Sequence, residues 1–315
     1  MMTRSGFWNW GRGANLAADS SPVATRTTSR RGFLRTAGTA VAASLIGCTS
    51  KFGLRKCELA SDTPYPDIVA HLNRNIDQIN AWQSMNVKVT PHGLLGLASL
   101  SANMAVERPR NFRLQASIPT GNVADLGSND ERFWFWMRND EEPMIVTARH
   151  DCLAAAQRQL PMPFEPDWLI EALGVIPLDE NEIEFEKHPT DPKRVFFRRK
   201  RTAPDGAPVE LVSTVDICNG VIVDHSLSDK SGKIVALANM GEHLRDGKTG
   251  VSLPHFVQLA WPQAKMGLKI RMGAIEINPV ALSAKQFTMP EIANCPVHDI
   301  GGETQQAEHT GRAKV

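Results

Sequence analysis

The sequence has no apolar run of the roughly 20 residues that a membrane-spanning helix needs. Residues 36–47 form an uncharged, alanine-rich segment, and at about a dozen residues it has the length of a signal-peptide core. The chain also has no basic excess, because residues 48–315 carry 29 Lys and Arg against 33 Asp and Glu. A mildly acidic chain without an arginine- and aromatic-rich patch argues against nucleic acid as a partner.

Motifs that mark common enzyme classes are missing as well. The sequence contains no His-Glu-x-x-His, no Gly-x-Ser-x-Gly, no phosphate loop, no dinucleotide glycine pattern and no Cys-x-x-Cys. Three weaker candidates are the run His150–Cys152, the pair Cys295 and His298, and the glutamates that alternate through residues 180–186. In the run His150–Cys152, adjacent side chains point in different directions and do not meet at one site. The pair Cys295 and His298 lacks the second pair of ligands that a metal site needs. Acidic residues at period two, as in residues 180–186, are typical of a solvated strand face. We therefore predict no catalytic residue, no metal site and no cofactor.

The first 50 residues instead contain motifs that predict where the protein is located. Residues 29–35, Ser-Arg-Arg-Gly-Phe-Leu-Arg, resemble the twin-arginine export signal. The residues that match this signal are Arg30, Arg31, Phe33 and Leu34. After the apolar segment, residues 45–48, Leu-Ile-Gly-Cys, resemble a lipobox, whose cysteine is alkylated with diacylglycerol and becomes the first residue after cleavage. We predict a signal peptide over residues 1–47 and a lipidated Cys48 with a linker over residues 48–64. The protein would then be tethered to a membrane in the cell envelope and face the periplasm, and Thr49 after the cysteine favours the outer membrane.

The remaining chain is patterned for β-structure. Residues 66–83 have apolar side chains at spacings of three and four and predict one long helix. From residue 84 the period changes to two, and short turns separate most of the strands that follow. Residues 166–173 predict a short helical insertion that covers an opening in the sheet. We expect a mainly β (α+β) domain over residues 65–280, a strongly curved antiparallel sheet or half-open barrel of about 11–13 strands, and a polar, disordered tail over residues 281–315.

Four cysteines remain besides Cys48, namely Cys57, Cys152, Cys218 and Cys295. An oxidising envelope permits disulfides, but the wide and irregular spacing leaves three pairings open.

One strand has no polar face. Residues 133–137 read Phe-Trp-Phe-Trp-Met, and a strand that is apolar on both sides must be covered on both sides. Either it is a central core strand, or its alternate side chains line an apolar cavity.

Residues 104–114, Met-Ala-Val-Glu-Arg-Pro-Arg-Asn-Phe-Arg-Leu, together with the later Phe133-Trp134, resemble the LolA/LolB-like family of lipoprotein carriers and receptors of the bacterial envelope. The resemblance implies a half-open barrel around a helical lid, with acyl chains of lipids or lipoproteins held between them. The cavity-lining candidates are Leu100, Met104, Val106, Phe112, Leu114, Phe133, Trp134, Phe135, Trp136 and Trp168. Two other functions stay open, a structural or protein-binding envelope lipoprotein with a solid core, and a cofactor-dependent enzyme that is exported folded.

Overall fold

The computed structural model describes residues 57–93, 99–138, 143–160, 165–280 and 282–302. The predicted export signal, Cys48 and residues 303–315 lie outside the described residues. Three α-helices occur in the described part of the chain, α1 (Tyr65–Ile76), α2 (Leu153–Gln157) and α3 (Pro166–Ala172). The strands are β1 (Ala81–His92), β2 (Leu100–Glu107), β3 (Asn111–Ile118), β4 (Gly121–Ser128), β5 (Arg132–Met137), β6 (Ile145–Arg149), β7 (Glu184–Lys187), β8 (Arg194–Thr202), β9 (Pro208–Asp216), β10 (Val221–Asp229), β11 (Ile234–Arg245), β12 (Ser252–Trp261), β13 (Met266–Met272), β14 (Glu276–Ile277) and β15 (Val297–Asp299).

All these strands belong to one sheet, which is curved but not closed. Its order is β15-β6-β5-β4-β3-β2-β1-β13-β12-β11-β10-β9-β8-β7, with β14 beside the start of β1. The neighbours pair antiparallel, as predicted, except that β15 runs parallel to β6. The sheet is therefore mixed and has more strands than the predicted 11–13, because two very short strands, β14 and β15, add to the set.

Period-two alternation gives the sheet one apolar face. In β3 the buried residues Phe112, Leu114 and Ala116 alternate with partly exposed neighbours, and the same alternation continues through the strands on either side. Buried residues from β4 at one side to β9 at the other belong to a single cluster. Side chains from strands so far apart meet only on the inside of a curved sheet. We call this the inner face and the opposite side the outer face.

Helix α1 packs on the inner face near β8 and β9. Its residues Ile68, Val69 and Leu72 contact a cluster that includes Val195 and Phe197. Asparagines at its C-terminal end fix the helix to backbone, because one binds both the N–H and the C=O of Leu178 and the next binds those of Ser252. The helix ends at Ile76 and is shorter than predicted, since residues 81–83 start β1.

The segment of residues 282–302, assigned above to a disordered tail, is folded against the sheet. It contains a short 3₁₀ helix (Ala284–Phe287) and β15, and its Phe287 and Ile300 are buried. Side chains of the outer face hold it, because Arg113 donates to the C=O of Gln286 and Asn129 donates to that of Phe287. A boundary at residue 280 was therefore too early. The sequence pattern fades there because this segment packs through isolated apolar residues instead of a repeated alternation.

Among the described residues, two cysteines form a disulfide and two are free thiols. Cys57 is bonded to Cys218, which lies in the turn between β9 and β10. Cys152 and Cys295 are free and half-buried. No helix in the described part of the chain has the length and hydropathy needed to cross a bilayer.

Candidate functional site

Helix α3 lies across the inner face and is buried on nearly all sides. Six of its seven residues are buried, including Trp168, Leu169 and Ile170. They join the main apolar cluster together with Leu173, which follows the helix. The indole of Trp168 meets that of Trp261 on β12 edge to face, with ring centroids 6.1 Å apart. A helix that is buried all round belongs to the interior, so α3 fills the concavity of the sheet.

Most of the cavity-lining candidates lie around α3. The five from β2 and β3 all point to the inner face and contact the cluster that contains Trp168; they are Leu100, Met104, Val106, Phe112 and Leu114. The prediction for Trp168 rested on its place in a short insertion, and the structure brings it into this same cluster. These five candidates thus come from one half of the sheet, and residues such as Trp261 on β12 add the apolar wall of the other half around α3.

The aromatic strand β5 divides between the two faces. Phe133 and Phe135 pair across the sheet with Ser128 and Leu126 and share their inner face. Phe133 packs beside α2, in a small cluster with Ala156 and Ile300.

Trp134 and Trp136 do not line the inner face. They lie on the outer face with Ile145 and are covered by Met289, Ile292 and Cys295 of the C-terminal segment. Adjacent residues of a strand point to opposite sides, so only one alternate set can face α3. The cover that a doubly apolar strand requires is thus present on both sides.

Trp134 also belongs to a buried polar cluster on the outer face. The carboxylate of Asp125 accepts hydrogen bonds from the indole N–H of Trp134, from Gln115 and from the guanidinium of Arg113. The indole lies directly over Gly127, where a side-chain carbon would come within 2.1 Å of the ring. The groups that donate to this carboxylate come from β3 and β5, while Asp125 lies on β4. The cluster therefore joins these three strands to one another.

A second buried polar cluster lies beneath α3, on the inner face. Glu171 of α3 forms ion pairs with Arg199 and Arg201 of β8. The Glu171 and Arg199 side chains are only 3% and 4% exposed, and Nη1 of Arg201 lies 2.8 Å from Oε2 of Glu171. Beside them, the Oγ of Ser213 lies 2.8 Å from the Nδ1 of His225. We call Glu171, Arg199, Arg201, Ser213 and His225 the latch cluster.

The charges of the latch cluster follow from its surroundings. Burial raises the pKa of the Glu171 carboxyl, but the positive charges of Arg199 and Arg201 outweigh burial, so its pKa lies below the ordinary value. Burial lowers the pKa of His225 from 6.5 to about 4, against the attraction of Glu171. At neutral pH the cluster therefore holds a carboxylate, two guanidinium ions and an uncharged imidazole.

The two ends of α3 are held differently. At its start, the exposed Asp167 accepts two hydrogen bonds of 2.9 Å from Arg110, in the turn between β2 and β3. At its end the chain passes through Gly174, whose φ of 80° is in the left-handed region that favours glycine. Four residues later, Leu178 is fixed to α1 by the side chain of Asn73. The helix is thus attached through polar contacts at Asp167 near its start and at Glu171 near its end, and Gly174 separates it from the fixed Leu178.

The weaker enzyme candidates are placed apart from α3. His150 bonds through Nε2 to the C=O of Asn129 at 2.7 Å, while Asp151 pairs with Arg149. Burial raises the pKa of the Cys152 thiol. Within the described residues, no three His, Cys, Asp or Glu side chains form a group that would hold a metal ion.

The alternating glutamates are surface partners. Glu184 pairs with Lys200, and Glu186 pairs with Arg198. Glu180 and Glu182 lie in a 3₁₀ turn before β7.

Sequence reasoning missed the latch cluster entirely. One signal was available in β8, where Val195, Phe197, Arg199 and Arg201 alternate and therefore share the inner face. Two arginines that continue the apolar side of a strand indicate a buried anion near them. The anion itself lies 28 residues earlier, on the insertion.

Comparison with known proteins gives partial structural likeness only. No protein-family model matches the sequence, and no curated protein matches it. A candidate outer membrane lipoprotein-sorting protein domain from Vibrio parahaemolyticus superposes with a TM-score of 0.46 at 8% identity, over 70% of this chain and 94% of that chain. A DUF1329 family protein from Desulfovibrio piger gives 0.46 at 11% identity, over 70% and 95%. A LolA superfamily protein from Nitrosomonas europaea gives 0.42 at 12% identity, over 70% and 97%. Function is therefore argued from the site itself.

Proposed function

We propose that the protein is a membrane-anchored, extracytoplasmic lipoprotein that binds the acyl chain of a lipid or lipoprotein on its inner face, without catalysis. The observation that carries the proposal is α3, an apolar helix that fills the concavity of an unclosed sheet and is held by ion pairs to Arg110, Arg199 and Arg201. In this proposal an acyl chain takes the place of α3 against the inner face. A place in outer-membrane lipoprotein sorting fits such a binder.

The free energies select a long chain as the ligand. Displacing α3 exposes Trp168, Leu169, Ile170 and Leu173, which costs about 1.5–3 kcal/mol for each side chain. The total is on the order of 6–12 kcal/mol. Burial of an acyl chain returns roughly 0.8 kcal/mol per methylene, or about 12 kcal/mol for a chain of about 16 carbons. A long chain therefore offsets the displacement, whereas a short apolar molecule does not.

The movement that this requires has a natural pivot. Gly174 has the backbone freedom to change conformation, and Leu178 beyond it stays fixed to Asn73. A rotation about Gly174 carries α3 away while the chain after it keeps its place. The exposed contact between Asp167 and Arg110 exchanges readily with water and counterions, whereas the buried pair of Glu171 and Arg199 is costly to separate unless another anion replaces the carboxylate.

The test uses unlipidated protein, because an attached anchor would supply acyl chains of its own. We expect Cys48→Ser protein to bind a 16-carbon fatty acyl probe and to ignore a 6-carbon probe of the same head group, with the change reported by the fluorescence of Trp168 and Trp261. Lipid extracted with the protein from its native envelope should appear in mass spectra. Repeated absence of any lipid, together with no binding of the long probe, would contradict the proposal.

The anchor and the route of export have their own tests. We propose lipidation at Cys48 and export through the twin-arginine signal, with the outer membrane as the favoured destination. Cys48→Ser should release the protein from membranes, and unchanged fractionation would argue against lipidation. Arg30→Lys with Arg31→Lys should block export, and normal export of that variant would indicate the general secretion route.

A second function is favoured by one feature, the burial of α3 on nearly all sides. A structural envelope lipoprotein that binds another protein through its outer surface would keep this interior closed. Hydrogen exchange separates the two functions. A carrier loses protection of the α3 amides when the long-chain probe is added, whereas a solid core keeps the same protection with and without the probe.

A further inference from the structure

The latch cluster contains an asymmetry between helix and sheet. Its only carboxylate, Glu171, is carried by α3, while both guanidinium groups and the imidazole are carried by β8 and β10 of the inner face. Displacement of α3 therefore takes the negative charge away and leaves Arg199 and Arg201 on the apolar wall. A buried cation without a partner is strongly unfavourable. An acyl chain in the place of α3 covers Arg199 again, so the liganded state favours an anion at the place that the Glu171 carboxylate occupies in the closed state.

The sheet side of the cluster is built to accept such an anion. Arg199 and Arg201 occupy alternate positions of β8, so both guanidinium groups project to the same side. The Arg199 side chain is 4% exposed, and its Nε–H has no acceptor among the described residues even while Glu171 is in place. Planar guanidinium groups with spare N–H donors match the oxygens of a phosphate or carboxylate. Ser213 and His225 add a hydroxyl and an uncharged ring beside them.

We infer that the ligand of the inner face is an anionic amphiphile, whose acyl chain replaces the apolar residues of α3 and whose phosphate or carboxylate head replaces Glu171 at Arg199 and Arg201. This inference rests on the proposed function and names the ligand class for the same site. The carboxylate of Glu171 acts as an internal stand-in for the head group. The latch cluster then has two roles. It holds α3 against the inner face when no ligand is bound, and it favours ligands with a negatively charged head group.

The experiment compares two ligands that differ only in the anion. Unlipidated Cys48→Ser protein is titrated with 1-palmitoyl lysophosphatidic acid and with 1-monopalmitoylglycerol, both below their critical micelle concentrations, and with inorganic phosphate alone. Charge-assisted hydrogen bonds to the phosphate strengthen binding, so we expect the phosphorylated lipid to bind at least about tenfold more tightly than the neutral one, or about 1.4 kcal/mol. Inorganic phosphate alone should bind far more weakly than either lipid, because it returns no burial energy for α3.

Two variants on one strand assign the preference to the cluster. Arg201→Gln removes an inner-face cation that is 33% exposed and should retain the fold, and we expect it to lower the preference for the phosphorylated lipid several-fold. Lys200→Gln is the matched control, because Lys200 is the next residue, points to the outer face and is 77% exposed. It should leave the preference unchanged.

Each outcome has one reading. Equal affinity for the two lipids overturns the inference and leaves the proposed function in place. Binding of neither lipid overturns both. Inorganic phosphate that binds as tightly as the phosphorylated lipid shows a simple anion site and overturns the inference, as does a preference that Arg201→Gln and Lys200→Gln change equally.

Discussion

Replacing the buried ion pair by apolar residues should make the protein more stable and worse at taking up its ligand. Glu171→Leu leaves Arg199 buried without its partner, and such a loss costs about 3–5 kcal/mol. Arg199→Met leaves the buried Glu171 with Arg201 alone, so it should cost less. The double variant leaves no such charge between α3 and β8, and exchange of a buried pair for well-packed apolar residues is neutral or stabilising by about 1–4 kcal/mol. Arg201 stays partly exposed and retains contact with water.

The free energies are measured by urea unfolding, followed through tryptophan fluorescence, for the wild type, both single variants and the double variant. This double-mutant cycle should give a coupling energy of several kcal/mol between Glu171 and Arg199, because the two single losses do not add. Losses below about 1 kcal/mol that add in the double variant would refute the reasoning, since exposed pairs behave in that way.

Ligand binding by the double variant then tests the role of the pair. If polar contacts allow α3 to leave, an apolar replacement should hold it more firmly, and the affinity for a 16-carbon acyl probe should fall at least about tenfold for each 1.4 kcal/mol of added stability that must be overcome. The preference for an anionic head should weaken at the same time, because Arg201 is then the remaining guanidinium of the latch cluster. Unchanged affinity in a more stable double variant would show that α3 does not move when the ligand binds.

Three further predictions concern stability. His225 has a pKa of about 4 in the folded protein and an ordinary value of 6.5, so its contribution to the free energy of unfolding is complete above pH 6.5. That free energy falls by about 3 kcal/mol as the pH drops from about 6.5 to about 4, because the unfolded chain binds a proton that the folded protein does not. Urea unfolding at pH 7 and pH 4 should show this loss, and His225→Gln should remove it. Cleavage of the Cys57–Cys218 bond by reductant should lower the free energy of unfolding by about 2–5 kcal/mol, and a variant with serine at both positions should no longer respond to reductant. Asp125→Ala should cost about 3–5 kcal/mol because it removes the carboxylate partner of the partly buried Arg113 and the acceptor of the buried Trp134 indole, and a thermal melt that matches the wild type would contradict this.

The strands could be predicted from the sequence because their signal is local. Phe112, Leu114 and Ala116 alternate with polar residues, and the Arg108-Pro109 turn separates β3 from β2. Strand β15 gives no such signal, because it has three residues and pairs in parallel with a strand about 150 residues earlier. The cover over Trp134 and Trp136 was required by the sequence but could not be located, since Met289, Ile292 and Cys295 are scattered through an irregular segment.

The site was predictable only in its apolar part. Residues such as Met104 and Leu114 follow from alternation, and alternation also decides that Trp136 cannot share their face once the pairing register is known. The latch cluster depends on which segment crosses the inner face, and nothing local to Glu171 indicates that it meets Arg199 and Arg201. The partners of a buried charge depend on the fold as a whole. The latch cluster, which we propose selects the ligand, was therefore the part of the site that could not be predicted from local sequence patterns.

The disulfide has a mechanical consequence for a tethered protein. Cys57 is bonded to Cys218 in the β9–β10 turn. A pull on an anchor at Cys48 would enter the sheet through this covalent bond before it reached α1, which begins at Tyr65. If Cys48 carries the anchor, the nine residues to Cys57 span at most roughly 30 Å. The β9–β10 turn then stays close to the bilayer, and the rest of the sheet can rotate about that attachment point.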